Sequence, residues 1–475
     1  MRRAKIKFGT SGWRAILCED FTFDNVGVVT HAIAEHLVEA GFSGHSVLVG
    51  YDNRFMGDRF ARVSCEVLAA YGMHAEMTDR STPTPVLSFD ILEKVRAGAI
   101  NFTASHNPPE YNGLKFSPDW GGPALPETTT DIETRANGLM VVGEFEKEDF
   151  AEGLKTGTIA VYDPRPAYLA RIRELVDFDA IRAARLKVGV DPLYGTAVGY
   201  LDTLLEEAGC EVVQIHANAD PNFGGRPPEP SLENIPELAA LVAGDSSFAL
   251  GLSTDGDADR YGILDRGGKF LEPNYFLALL FDYLALERHF PGGAARSVAT
   301  SHLLDAVAAD LGRELYETPV GFKFIGDLLR QGKLCAGGEE SAGLTIRGHV
   351  PEKDGILACL LAAEMVARRG KSLYEQLGDL YARVGTYVTR RENFHLTPAQ
   401  EAALPERLCA LPEAVSGVEV AKVVTIDGVK LLLADGSWLL VRKSGTEPVL
   451  RLYGEAHTRE RLLEILKAGR GWLLG

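Results

Sequence analysis

One hydroxyl, Ser105, stands in Thr103-Ala104-Ser105-His106-Asn107-Pro108-Pro109, followed at once by an imidazole and an amide and closed by two prolines. The apolar run Ala97-Gly98-Ala99-Ile100 precedes it, so the pattern predicts a short loop leaving a buried strand. A serine held on such a loop is a candidate nucleophile or phosphate carrier. Read alone, the string is also an ordinary Asn-Pro surface turn. Asn101-Phe102-Thr103 has the form of a glycosylation sequon, but nothing else in the chain points to secretion, and it is discounted.

Asp255-Gly256-Asp257-Ala258-Asp259-Arg260 carries three carboxylates at alternate positions, at the end of the apolar run Phe248-Ala249-Leu250-Gly251-Leu252. Uncompensated, they repel and raise at least one pKa. A divalent cation is the natural compensation, and hard oxygen ligands with open positions suit Mg2+. An EF-hand calcium loop needs a glutamate at its twelfth position, where Arg266 stands, so that reading fails. Two further loops are polar and glycine-rich. Gly337-Gly338-Glu339-Glu340-Ser341-Ala342-Gly343 offers carboxylates and a hydroxyl to the hydroxyls of a sugar. Arg442-Lys443-Ser444-Gly445-Thr446-Glu447-Pro448, with Arg451 beyond it, gathers cations, hydroxyls and backbone N–H groups around one glycine, a composition suited to a phosphate dianion.

In this order the four loops resemble the α-D-phosphohexomutase family over nearly the whole chain, most like a bacterial-type phosphoglucomutase. TASHNPPEYNGLKF is similar to that family's phosphoserine loop, DGDADR to its metal loop, GEESAG to its sugar loop and RKSGTEPVLRLY to its phosphate loop. Phe8-Gly9-Thr10-Ser11-Gly12-Trp13-Arg14 and Pro319-Val320-Gly321-Phe322-Lys323 are smaller matches, and Ala258, where the family more often has glycine, is a departure that keeps the Asp spacing. The resemblance implies that Ser105 carries a phosphoryl group, and that Mg2+ is held by Asp255, Asp257, Asp259 and the Ser105 phosphate. Arg14, His106 and Arg260 are implied helpers, with Lys115 in proton transfer and His106 its rival. Lysine in that role needs a lowered pKa. Lys323, Glu339, Ser341, Lys353, Arg442, Ser444, Gly445, Thr446 and Arg451 are implied substrate contacts, Glu339 and Ser341 at O3 and O4 of the sugar. The implied reaction moves phosphate between C1 and C6 of a hexose phosphate through glucose 1,6-bisphosphate, which is intermediate and activator. GEESAG, with Pro351-Glu352-Lys353-Asp354-Gly355, looks more like a phosphoglucomutase than a phosphomannomutase, a dual enzyme or a glucosamine mutase. Two other classes remain open: a serine-nucleophile, metal-dependent phosphatase, against which the second phosphate loop argues, and a sugar-phosphate sensor without catalysis, against which the intact Ser105 and Asp set argues.

The elements that must position these loops follow from the rest of the chain. At 475 residues it exceeds one hydrophobic core, so several domains are expected. A net charge of −17 argues against nucleic acid and anionic membrane as partners, and makes a phosphosugar site a local basic pocket in an acidic protein. Six scattered cysteines without a C-x-x-C pair fit reduced thiols in a cytoplasmic setting. No apolar run predicts a signal peptide or a membrane span.

Strand and helix patterns alternate over 1–155, 156–260 and 261–375, giving three α/β units, and the acidic stretch Glu144 to Glu152 reads as surface helix or linker. Leu186 to Asp191 and Ser297 to Thr300 read as strands, and Asp354 to Arg369 as a helix. Over 376–475 the pattern changes to α+β. Asp427-Gly428 and Asp435-Gly436 each sit between apolar runs and predict hairpins, with a final helix near Thr458 to Lys467. The segment Tyr374 to Thr386 is expected to lead into this last domain as its moving connection. The family resemblance implies the same layout, with the site in a central cleft. Oligomeric state is not fixed by any of these signals.

Overall fold

The computed structural model describes residues 5–9, 12–142, 145–443 and 449–474. They form two compact units. The first takes in the chain to Glu272 together with Gly326–Lys333 and Ser341–Leu373, and the second holds Pro273–Ile325, Leu334–Glu340 and Tyr374 onward.

The first unit contains two sheets. One has seven strands in the spatial order Phe8–Gly9, Gly12–Ile16, Tyr111–Pro118, Gly98–Phe102, Ser46–Tyr51, His74–Thr78, Ile159–Tyr162. The strands Gly98–Phe102, Ser46–Tyr51, His74–Thr78 and Ile159–Tyr162 are parallel neighbours, and the other end of the sheet is antiparallel. Gly98–Phe102 is buried at every position, as a strand covered on both faces must be. The second sheet has the order Lys269–Leu271, Tyr261–Asp265, Phe248–Thr254, Lys187–Asp191, Glu211–Gln214. Phe248–Thr254 and Tyr261–Asp265 form an antiparallel hairpin whose tip is the Asp255 to Arg260 turn. The helix Gly355–Arg369, capped by Asp354 accepting from the Leu357 N–H, packs on both strands of this hairpin.

Two sequence boundaries need correction. Residue 155 is not the end of the first sheet, because Ile159–Tyr162 pairs with His74–Thr78. Residue 260 falls inside the hairpin, and the second sheet runs on to Leu271. In both cases sheet pairing recruits a strand from beyond the change of pattern. The third boundary, 375, lies within the helix Leu373–Val384, which occupies most of the expected moving connection.

In the second unit the parallel strands Leu315–Thr318, Gly293–Ser297 and Leu334–Glu339 lie side by side. The expected strand Ser297 to Thr300 is thus shifted toward the N-terminus. The strand residues Gly-Ala-Ala-Arg have weak strand propensity, whereas Val298 and Ala299 are apolar because they pack on Trp438, Leu440 and Tyr453. The chain from Val388 forms an antiparallel sheet in the order Val388–His395, Val449–Ala456, Trp438–Lys443, Val429–Leu433, Val418–Val424, Ala414–Val415. Both expected hairpins are present, and Gly428 (φ 85°) and Gly436 (φ 84°) take the left-handed turn positions. The last helix, Arg459–Leu474, packs on this sheet and is longer than the sequence pattern indicated.

A buried polar cluster joins these two parts of the second unit. Lys430 has no exposure. Its ammonium donates to Val298 O at 2.7 Å and His302 Nε2 at 2.9 Å, lies 3.5 Å from Glu317 Oε1, and sits 4.1 Å from the Trp438 ring centroid. Glu455 accepts from Trp438 Nε1 at 2.7 Å, from His302 N at 3.0 Å and from the Ser301 hydroxyl. Arg296 pairs with Asp305 and with Glu317 at 2.7 Å. Burial, followed by the charge of Arg296, pushes the Lys430 pKa down to about 7.

Candidate active site

Ser105 leaves the end of the buried strand Gly98–Phe102 with φ 52°, a left-handed backbone that costs a side-chain-bearing residue roughly 1–2 kcal/mol. Its hydroxyl donates to Asp255 Oδ2 at 2.7 Å and lies 3.3 Å from His106 Nδ1. Asp255, Asp257 and Asp259 are buried, with one ligand oxygen from each within 4.8 Å of the others. The two turns meet closely: a Cβ at Gly256 would stand 3.0 Å from Ser105 O. The sequence-derived phosphoserine and metal loops are therefore brought to one point.

Cations surround the carboxylates. Lys115 Nζ lies 2.5 Å from Asp257 Oδ2 and 2.9 Å from Asp259 Oδ2. Lys353 Nζ lies 3.1 Å from Asp259 Oδ2 and 2.6 Å from Glu352 Oε1. The Arg260 N–H donates to Asp255 Oδ1 at 3.0 Å, and its guanidinium stands 4.0 Å from Asp259. Arg14, on the strand Gly12–Ile16, donates to Asn107 Oδ1 at 2.6 Å. Burial and the charges of Asp257 and Asp259 raise the Asp255 pKa well above the ordinary carboxylate value. Asp259 goes the other way: Lys115, Lys353 and Arg260 outweigh its burial and hold it low. His106 is held well below its usual value by burial and by Arg260 and Arg14, so its imidazole is neutral. Burial pulls the Lys115 ammonium down, but Asp257 and Asp259 outweigh it and the net direction is up. The carboxylates that are to hold a cation are themselves paired with Lys115, and the sequence reading assigns the lowering of this lysine to a nearby metal and guanidinium groups.

The residues present fit a hard divalent cation. Asp257 Oδ1 and Asp259 Oδ1 are buried without a hydrogen-bond partner among the described residues, which is costly unless a cation or water meets them. The donor set is all oxygen, as Mg2+ prefers.

Several supporting residues escaped the sequence reading. Thr84 Oγ1 donates to Asp257 Oδ2 at 2.5 Å, and Asn101 donates to Thr84 at 2.8 Å, fixing the carboxylate from behind. Asp52 and Arg54, just past the strand Ser46–Tyr51, hold the Ser105 loop, and burial raises the Asp52 pKa to about 6 against the pull of Arg54. The only sequence signal for these two was a pair of charged residues directly after an apolar strand.

The second unit holds the other candidates. Glu339 is buried at the end of its strand and accepts from Gly321 N at 2.8 Å, while Lys323 lies in the first turn of the helix Phe322–Arg330. Arg442 and Arg451 are directly opposed across the antiparallel strands Trp438–Lys443 and Val449–Ala456. Like charges opposed in this way destabilise a ladder. Arg442 is also bound to Asp427 Oδ2 at 2.9 Å, and Lys443 to Glu401 at 2.7 Å. Ser341 belongs to the first unit, at the turn before Gly343–Ile346. Ser444, Gly445 and Thr446 lie outside the described residues.

Four family models match along the chain. Phosphoglucomutase/phosphomannomutase alpha/beta/alpha domain I covers residues 5–140, domain II 166–268, domain III 272–384 and the C-terminal domain 404–469. A phosphoglucomutase of Komagataeibacter xylinus is 33% identical, over 95% of this chain and 87% of its own length. A phosphoglucomutase/phosphomannomutase of Thermococcus kodakarensis is 32% identical, over 97% of each chain. A crystal structure from Thermus thermophilus, provisionally named a phosphomannomutase, matches with a TM-score of 0.86 and 33% identity over 100% of both chains.

Proposed function

The chain belongs to the phosphoglucomutase/phosphomannomutase family, whose members are intramolecular phosphotransferases, and from that premise we propose that it interconverts glucose 1-phosphate and glucose 6-phosphate through a phosphoryl group carried on Ser105. The observation that carries this reading is the Ser105 hydroxyl, buried on a strained loop and 2.7 Å from the Asp255 carboxylate.

Phosphoryl transfer proceeds through a loose transition state, so catalysis is mostly positioning and electrostatics. In the forward direction the bond from phosphorus to Ser105 Oγ breaks and a bond to the free sugar hydroxyl forms. The hydroxyl proton passes to the protein, and glucose 1,6-bisphosphate results. In the second half the other phosphate of that bisphosphate returns to Ser105 Oγ, and the proton goes back to the sugar oxygen it leaves. Lys115 and His106 are the two groups offered for the proton. Arg14 and Arg260 supply cations around the phosphoryl oxygens, and Arg442 and Arg451 hold the phosphate that is not transferred. Asp255, Asp257 and Asp259 would hold Mg2+, which supplies positive charge against the phosphoryl oxygens.

Glucose is the proposed sugar, with Glu339 and Ser341 reading O3 and O4. Tolerance of mannose is the second reading, favoured by the dual name of the Thermococcus relative. The deciding experiment measures kcat/KM for glucose, mannose, glucosamine and galactose 1-phosphates with glucose 1,6-bisphosphate supplied. Glucose should be best, mannose weaker but real, and galactose very poor, because a site that bonds a hydroxyl rejects a ligand leaving its polar groups unpaired. Peptide mapping should find phosphate on Ser105, and Ser105→Ala should lose turnover by orders of magnitude. Near-normal turnover in that variant defeats the carrier reading.

A further inference from the structure

Arg54 is 3% exposed, and each of its five N–H groups has an acceptor. Nη2 donates to Ser105 O at 2.7 Å and Asn107 O at 2.6 Å, Nη1 to Pro108 O at 2.8 Å and Tyr111 O at 2.9 Å, and Nε to Asp52 Oδ2 at 3.2 Å. The guanidinium also lies over the Phe223 ring, 4.9 Å from its centroid. Three carbonyls of the Ser105 loop and that of Tyr111, the first residue of the strand after it, thus converge on one cation. A second tie reaches the other side of Ser105. Thr103 Oγ1 donates to Asp52 Oδ2 at 2.6 Å and accepts from Ser105 N at 2.9 Å.

A residue held in the left-handed region persists only where its surroundings over-determine it. Ser105 has φ 52°, and the atoms that fix its peptide groups on both sides trace back to the Asp52–Arg54 pair. We propose that Arg54 is the positioning residue of the phosphoryl carrier: it touches neither sugar nor phosphate, and it holds the left-handed turn that aims Ser105 Oγ at the carboxylate cluster. Lysine cannot replace it. An ammonium has three donors and no planar fork, so it cannot span four carbonyls and a carboxylate together.

The inference rests on the reading of Ser105 as carrier, so the test separates the two. Ser105→Ala and Arg54→Lys are assayed side by side with glucose 1-phosphate and saturating glucose 1,6-bisphosphate. For Arg54→Lys, kcat should fall about 100-fold, the scale of a misplacement near 1 Å. KM should stay near wild type, because the sugar and distal-phosphate contacts are untouched. A fall of kcat with unchanged KM supports the inference. Wild-type kcat in Arg54→Lys, or a KM that rises as far as kcat falls, overturns it even where Ser105→Ala is dead. An active Ser105→Ala overturns the carrier reading itself. If Arg54→Lys does not fold, Thr103→Val cuts the tie that runs from Asp52 through the Thr103 hydroxyl to Ser105 N and keeps the Arg54 contacts to the loop carbonyls, and Thr103→Ser restores it. The valine variant should lose kcat selectively and the serine variant recover it, and equal activity in the two counts against the proposal.

Discussion

Around Asp255, three buried carboxylates crowd within 4.8 Å, two of their oxygens have no hydrogen-bond partner among the described residues, and the adjoining Ser105 and Ala258 take left-handed backbone at φ 52° and 57°. Around Lys430 the buried charge is comparable, but the ammonium meets three acceptors, and Glu455 receives Trp438, His302 and Ser301. Buried charges that satisfy one another specify how two parts of a fold pack. Buried charges left incomplete on strained backbone mark a place where a ligand finishes the arrangement. The difference lies in saturation, since the amount of charge is similar.

The comparison is broken most directly at Asp255. Asp255→Asn keeps an oxygen toward the Arg260 N–H and relieves repulsion from Asp257 and Asp259. Turnover should fall by at least about 100-fold, yet the chelator-treated variant should melt higher than wild type. Added Mg2+ should raise the melting temperature of wild type and not that of the variant. A variant less stable than wild type in chelator would place this cluster with Lys430.

Lys430→Met should act oppositely, leaving Val298 O and His302 Nε2 without their donor, while Glu317 keeps Arg296. The expected loss is on the order of 3 kcal/mol in denaturant unfolding, with the active-site chemistry intact. The pH profile sharpens the contrast. With a folded pKa of about 7 against 10.5 unfolded, the unfolded chain binds more protons between those values. Wild-type stability should therefore rise with pH across that window. The difference in slope between wild type and Lys430→Met isolates the group from Glu317, Glu455, Asp305, Arg296 and His302, which face it. Equal slopes would show that Lys430 is not titrating.

Arg442 and Arg451 form a third case, two like charges facing each other across a ladder. Arg442→Ala should raise KM by the equivalent of about 1.5–3 kcal/mol while leaving unfolding stability nearly unchanged. An unchanged KM would move the distal phosphate elsewhere. The smallest effect is expected at Ala258. Ala258→Gly removes left-handed strain but loosens the unfolded chain, and the two should cancel to within about 1 kcal/mol in unfolding measurements.

The loops are legible because each packs unusual chemistry into a few consecutive residues: Ser105 with His106, the alternate aspartates, the Arg442 to Arg451 stretch. The hairpins at Gly428 and Gly436 are legible because their turn residues sit between apolar runs. What escapes depends on partners far apart in the chain. Arg54 acts on backbone carbonyls, which leave no trace in residue types. The direction of the Lys115 pKa is hidden because it depends on Asp257 and Asp259, more than a hundred residues away. The strand Gly293–Ser297 is displaced from its expected place because Val298 and Ala299 owe their apolar character to tertiary packing.

The helix Gly355–Arg369 belongs to the first unit, packed on the Asp255 hairpin, with Tyr168 OH reaching its cap residue Asp354 at 2.7 Å. On a ribosome that helix emerges only after Pro273–Ile325 has already been made. The first 272 residues must wait with the apolar face of Phe248–Thr254 uncovered, so synthesis order and completion order differ. Contacts of such long sequence separation slow folding and prolong the exposure of sticky surface. A nascent chain stalled before Gly355 therefore lacks the cover of this hairpin, even though Ser105 and the three aspartates have all been translated.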